Sequence, residues 1–359
     1  MAPYRFATLL AAESAATAGT KTIDLDVVDP ISMIQVVQKA TSAGTTMAAH
    51  PAANISKIEL VDGSDVLASL TGRECQALDF YDKKVMPVNF ITDTSSVMTY
   101  CTFNLNFGRW LRDPVLALDP TKFRNPQLKI THNYQTCDTA ASASTLAAYA
   151  YMFDTKKITP MGFLSAKEQK TYTCGASATI EQTDLPRDHI LRRLMVVGRG
   201  SDYFPWQVAN KIKLSENGGK SVPYDFTTSD WLKLINQAYP RCVEPAQISV
   251  NATARDAWAA PSFEVAWQLM PQTVTNIISQ ESASHAMPFA LDITASDVCT
   301  GRVEGWCPHS AFPIDFGDPQ NVDDWYDVTG MTSLKLEVTA GTAGTSGTVD
   351  ILTQQLRKY

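Results

Sequence analysis

Gly219-Lys220-Ser221 carries the last three residues of a phosphate-cradling loop. Such a loop needs another glycine five positions earlier, so that successive backbone N–H groups can wrap the phosphate. That position is Leu214, and the tripeptide falls where a hairpin turn is expected. Asp315, Asp318, Asp323, Asp324 and Asp327 would supply the hard oxygen ligands that calcium prefers. They lack the D-x-[DN]-x-[DN]-G order, and Asp also starts turns, so a solvated loop is the expectation. His50, His132, His189, His285 and His309 are scattered, with no i, i+4 pair to put two on one face of a helix. No G-x-S-x-G elbow offers a nucleophile. The sequence assigns no catalytic, cofactor-binding or metal-ligating residue, and an enzyme is not expected.

Charge and cysteine usage narrow the partners. The net charge of −7, with 19% charged residues, argues against phosphate wrapping by the folded body or sequence-specific nucleic-acid binding. The basic pairs Lys83-Lys84, Lys156-Lys157 and Arg192-Arg193 are too short for polybasic tracts and read as solvated surface. Cys75, Cys101, Cys137, Cys174, Cys242, Cys299 and Cys307 include no C-x-x-C pair and sit in apolar runs, as small buried hydrophobes would. Folding in a reducing compartment follows. The sequons at Asn54 and Asn251 carry little weight without a convincing secretory leader. The segment Met1–Thr20 reads as a flexible or weakly helical arm.

The elements that would hold any site come in two sets. Ala53-Asn54-Ile55-Ser56-Lys57-Ile58-Glu59-Leu60, a turn at Asp62-Gly63 and a helix over 72–81 recur as Ala209-Asn210-Lys211-Ile212-Lys213-Leu214, a turn at 217–219 and a helix over 230–239. Asp29-Pro30 before Met33–Val37 matches Leu185-Pro186 before Ile190–Val197. Asp113-Pro114 before Leu128–Thr131 matches Asp318-Pro319 before Leu334–Val338, and Leu146–Phe153 matches Val349–Leu352. The spacing between matches widens by about fifty residues after the helix, which predicts extra loops in the second half around 240–261 and 296–316. The stretch from Lys156 to about Cys174 finds no partner and reads as the connection.

Within each half, apolar residues alternate with polar ones, as at Cys101, Phe103, Leu105 and Phe107, at Phe263, Val265, Trp267 and Leu269, and at Phe289, Leu291 and Ile293. A period of two buries one face of a strand. Thr71-x-x-Glu74 is a capping box opening the first helix, with Cys75, Leu78 and Tyr81 on one face. Trp231, Leu234, Ile235 and Ala238 give the second helix its apolar face, and Pro240 ends it. The fold predicted is all-β, two tandem eight-stranded jelly-roll β-sandwiches, each with a short helix. The division is an arm at 1–20, a first jelly roll at 21–165, and a second at 166–359 with longer loops, joined by a linker at about 156–178.

Ile55–Leu60 running through a turn into Ala77-Leu78-Asp79-Phe80-Tyr81 resembles the double jelly-roll major capsid proteins of tailless icosahedral viruses. So do Asn106-Phe107-Gly108-Arg109-Trp110-Leu111-Arg112-Asp113-Pro114 and Phe123–Thr131, and the nearest resemblance is to lipid-containing single-stranded DNA phages of the Flavobacterium-infecting type. The resemblance implies a homotrimer that is a pseudo-hexagonal capsomer. Its partners would be neighbouring capsomers, minor capsid or vertex proteins, and an internal lipid membrane met by the N-terminal arm. The protein would be made in the host cytoplasm and end in the virion. The alternative reading is a secreted carbohydrate-active hydrolase or lectin-like protein of two jelly rolls, with Trp110, Trp206, Trp231, Trp258, Trp267, Trp306 and Trp325 as sugar-stacking faces.

Overall fold

The computed structural model describes residues 3–45, 47–138, 140–200, 203–250, 255–271, 278–282, 286–289 and 297–359. His285, the sequon at 251–253, Leu291 and Ile293 lie outside them. In the first half the strands are β1 (Tyr4–Ser14), β2 (Gly19–Asp24), β3 (Ile31–Thr41), β4 (Ile55–Asp62), β5 (Asp65–Leu70), β6 (Asn89–Thr92), β7 (Met98–Asn106), β8 (Pro126–His132) and β9 (Ser142–Phe153). Helix α1 (Gly72–Lys83) lies between β5 and β6. The strands pair in the orders β1-β9-β3-β7-β6 and β2-β8-β4-β5. Ile34, Val36, Phe103 and Leu146 from one sheet meet Ile58, Leu60, Leu128 and Ile130 from the other in one core.

The second half repeats this wiring. It contains β10 (Gly162–Thr173), β11 (Ile180–Asp184), β12 (Ile190–Arg199), β13 (Ala209–Glu216) and β14 (Ser221–Thr227), then later β21 (Ala311–Asp315), β22 (Leu334–Ala340) and β23 (Thr348–Lys358). The orders are β10-β23-β12-β21 and β11-β22-β13-β14, which superpose in sequence on β1-β9-β3-β7 and β2-β8-β4-β5. Leu194, Val196, Ile314 and Ile351 face Ile212, Leu214, Leu336 and Val338 in a second core.

Two expectations change at the chain's joints. Tyr4–Ser14 is not a flexible or weakly helical arm; it pairs antiparallel with β9 from Tyr4↔Phe153 to Ser14↔Thr145. Gly162–Thr173, expected to be connection without a partner, is the counterpart of β1 and pairs along its length with β23. Each copy therefore opens with the strand that sequence matching left outside it.

The insertion also differs from the loops expected at 240–261 and 296–316. It contains β15 (Cys242–Val250), β16 (Arg255–Trp258), β17 (Phe263–Pro271), β18 (Ile278–Ser282), β19 (Ala286–Phe289) and β20 (Asp297–Trp306). β15 runs parallel to β6 through Ala246↔Ile91, so β15-β20-β17-β18 continues the first half's sheet to nine strands. Trp267, Ile248, Val303 and Leu269 of the insertion pack in one apolar cluster with Met47, Ile91 and Cys137 of the first half. On the other side, a parallel contact of Lys167 with Ser69 joins β10 to β5 and makes one eight-stranded sheet of both halves.

The capping box is formed: the Glu74 N–H donates to Thr71 Oγ1 at 3.3 Å and the Thr71 N–H to Glu74 Oε2 at 2.7 Å. Thr71→Ala should cost about 1 kcal/mol, read from the urea midpoint of unfolding. The matching helix is shorter than expected, Thr228–Ile235, with Thr228, Leu232 and Ile235 buried. Leu234, assigned to the apolar face, is exposed; the helix packs one position further round, on Leu232. The tripeptide Gly219-Lys220-Ser221 closes the β13–β14 hairpin, where Asn217, Gly218 and Gly219 all take positive φ.

Candidate functional site

Among the described residues, the candidates weighed above are taken up by local turns and packing. Asp318, Asp324 and Asp327 accept backbone N–H bonds from Gln320, Asp318 and Thr329, as turn-forming carboxylates do. Among the described residues no three His, Cys, Asp or Glu side chains converge as metal ligands. All seven cysteines are buried and free. A surface hollow lined by Asp188, His189, Asp327 and Lys358 leaves about 190 Å³, less than a typical ligand pocket. Trp267 and Trp325 are buried, and the Trp231 Nε1–H donates to Pro313 O at 2.9 Å, so these rings are committed to packing. Trp110 is half exposed, but its face is taken by the Arg109 guanidinium at 4.3 Å.

The structure instead concentrates its polar chemistry where the two sandwiches meet. Asp82, at the end of α1, receives Arg192 Nη1 at 2.7 Å and Arg193 Nη1 at 2.8 Å from β12. Arg193 Nε reaches Asp315 Oδ1 on β21 at 2.5 Å, and the Tyr239 hydroxyl donates to Asp315 Oδ2 at 2.5 Å. Arg192 also donates from Nε to Pro319 O at 3.0 Å and from Nη1 to Gln354 Oε1 at 2.8 Å. Both arginines are fully buried, which corrects the reading of this basic pair as solvated surface. The reason is that the β10-β23-β12-β21 sheet is covered on both faces. Leu194 and Val196 point into its own core, while Met195 and Val197 pack on the first half's core.

Two residues matched in the repeat meet here. Tyr81 and Tyr239, each at the end of its half's helical segment, stack edge to face at 4.9 Å. The Tyr81 hydroxyl donates to Ala311 O at 2.7 Å. Burial alone would raise the Asp82 pKa, but Arg192 and Arg193 outweigh it and hold the carboxyl below its usual range. For Arg193, burial is likewise outweighed by Asp315 and Asp82, and its pKa is raised. For Arg192 burial outweighs the pull of Asp82, and its pKa is lowered.

The outer face of β1-β9-β3-β7-β6 is the second feature. Phe6 is 52% exposed and stacks on Tyr149 at 5.1 Å and edge-on to Tyr151 at 4.8 Å. Across the face Phe90 stacks on Tyr100 at 5.8 Å, and Met98 and Val88 are exposed nearby. Lys39 is the charged residue of β3 on this side. A broad flank with aromatic rings and little charge suits a protein surface that another surface covers.

Two copies of the eight-strand wiring, side by side and sharing sheets, define the double jelly-roll class of fold. No protein-family model and no curated protein sequence matches the chain. Solved structures do. The STIV major capsid protein aligns with a TM-score of 0.62 at 13% identity, covering 99% of this chain and 98% of that one. The major capsid protein P2 of bacteriophage PM2 aligns with a TM-score of 0.56 at 10% identity, covering 99% and 98%. PBCV-1 VP54 aligns with a TM-score of 0.58 at 12% identity, covering 98% and 93%. These alignments run the whole length of the chain, both halves and the insertion together.

Proposed function

We propose that this chain is the structural major capsid protein of a tailless icosahedral virion, forming homotrimeric, pseudo-hexagonal capsomers. The observation that carries the reading is the duplication: β1-β9-β3-β7 with β2-β8-β4-β5 recurs as β10-β23-β12-β21 with β11-β22-β13-β14. Three such chains around an axis present six near-equivalent sandwiches, the geometry that tiles a closed shell. The full-length fold shared with major capsid proteins of STIV and PM2 supports it. So does the weakly charged aromatic flank around Phe6, Tyr149 and Tyr100, which suits burial against a neighbour. The role is mechanical rather than catalytic, and the location is the virion shell after synthesis in the host cytoplasm. Neighbouring capsomers are the main partners, with minor capsid or vertex proteins at the breaks in the lattice.

Within this class, the segments Ile55–Leu60, Asn106–Pro114 and Phe123–Thr131 favour kinship with the lipid-containing single-stranded DNA phages of the Flavobacterium-infecting type. Contact of the N-terminal segment 1–20 with an internal lipid membrane would be made by a segment whose residues Tyr4–Ser14 are held in a sheet.

Light scattering of purified protein should give three times 39.3 kDa, and negative-stain micrographs should show six-lobed discs. A monomer at micromolar concentration would sink the proposal. Phe6→Glu should block lateral association through the aromatic flank while leaving the subunit's unfolding midpoint within a few degrees. Unchanged assembly would remove that flank from the interface.

A further inference from the structure

A small cavity opens at the junction on the side away from Asp82. Arg73 and His50 from the first half line it, with Arg199, His309 and Ser310 from the second, and Trp258 of the insertion closes it. The space is about 20 Å³, enough for one water-sized particle.

The wall is cationic, and its counter-charges are mostly spent elsewhere. Arg199 Nη2 lies 2.5 Å from Asp350 Oδ2. Glu244 is engaged by Asn89 Nδ2 at 2.6 Å, by the Ala260 N–H at 2.8 Å and by His50 Nε2 at 3.2 Å. His50 Nδ1 accepts the Ala52 N–H at 3.0 Å, so the ring is the neutral Nε2–H tautomer. Gln76 Nε2 donates to Asn89 Oδ1 at 2.7 Å and to Thr102 O at 2.9 Å, which fixes Oε1 as the acceptor for His309 Nε2 at 2.9 Å. Arg73 makes no ion pair within 4 Å among the described residues; the Asp350 carboxylate, already paired with Arg199, acts on it from further away. Burial, then repulsion from Arg199, lowers its pKa to about 10, so it stays charged at neutral pH. Arg73 also stands in the first turn of α1, where free backbone N–H groups add positive potential. Ser310 is fully buried, and its Oγ has no partner. The turn that presents it is strained, with Cys307, His309 and Ser310 all at positive φ.

We propose that this cavity binds a single monatomic anion, chloride under ordinary conditions, held by Arg73 and the Ser310 hydroxyl and sealing the two halves together. An anion accounts for both groups at once: it gives the guanidinium a counter-charge and the hydroxyl an acceptor. A water would satisfy Ser310 but add no negative charge beside Arg73, whose nearby carboxylate, Asp350, is shared with Arg199.

Crystals grown in sodium bromide should show an anomalous peak in the cavity, between Arg73 and Ser310. The thermal midpoint of the full chain should be about 1–3 °C higher in sodium chloride than in sodium gluconate at equal ionic strength, gluconate being too large to enter. Arg73→Met should erase that difference. Water density without anomalous signal overturns the proposal, as does a chloride effect that survives Arg73→Met. Should Arg73→Met fail to fold, the bromide crystals of the natural chain decide alone, and Ser310→Ala with weakened anomalous signal supports the same ligand set.

Discussion

Asp82→Ala should be among the most damaging single changes outside the apolar cores, costing about 3–5 kcal/mol. Asp82 is the one carboxylate shared by Arg192 and Arg193, at 2.7 and 2.8 Å. Removing it leaves Arg193 with Asp315, but Arg192 keeps only neutral partners, Pro319 O and Gln354 Oε1, in a site without solvent. A buried ion pair adds little over apolar packing, yet deleting one member leaves the desolvation cost of the other uncompensated. The measurement is the urea midpoint at pH 7, and a change under 1 kcal/mol would mean that water enters the junction. The pH dependence follows from the depressed carboxyl. Its contribution is present above the unfolded value near pH 4 and is lost as pH falls through the lower folded value. The gap between natural chain and variant should therefore be constant from pH 5 to 8 and narrow only in strong acid. Coupling between Asp82→Ala and Arg193→Met should be about 1–3 kcal/mol in a double-mutant cycle, since the two side chains touch.

This junction marks the boundary of what the sequence could disclose. Ile58 and Ile212, or Tyr81 and Tyr239, announced the repeat because each sits in a local pattern of strand, turn and helix that survives duplication. The opening strands left no such trace. Leu9-Leu10-Ala11-Ala12 breaks the two-residue alternation, and the partner that makes it a strand, Ser142–Phe153, is far away in the chain. Arg192 and Arg193 read as surface for a related reason. They interrupt the apolar run Ile190–Val197, and only the arrival of α1 on the sheet's second face turns a surface-like pair into a buried one. The run itself was the available signal, since a strand apolar on both faces is covered on both. Nothing in Cys242–Val250 showed that the insertion would extend the neighbouring sheet, because parallel pairing with Asn89–Thr92 depends on backbone position rather than side-chain pattern.

The same crowding at the junction makes stability fall as pH rises from about 5 to about 8, and Glu74→Gln should remove the effect. Glu74 is buried, and its pKa is raised to about 8 first by burial, then by the neighbouring Asp350 and Glu168 carboxylates. The Thr71 N–H bond and Arg199 oppose the shift without cancelling it. Because the folded chain holds a proton that the unfolded chain releases near pH 4, stability from this group is fully present below about pH 4 and is lost progressively until pH reaches about 8. At about 1.4 kcal/mol per pKa unit, a rise from 4.5 to about 8 is worth on the order of 5 kcal/mol. Glutamine still accepts the Thr71 N–H, since either side chain completes the capping box, and it cannot ionise. Glu74→Gln should therefore match the natural chain within about 1 kcal/mol at pH 5 and exceed it by about 2–4 kcal/mol at pH 9. Parallel stability curves from pH 5 to 9 would show that Glu74 titrates in its ordinary range, and that Asp350 and Glu168 do not crowd it. Because Glu74 stands on α1 and Asp350 on β23, this pH-dependent loss is also a loss of contact between the two halves, and it should loosen a shell built from them.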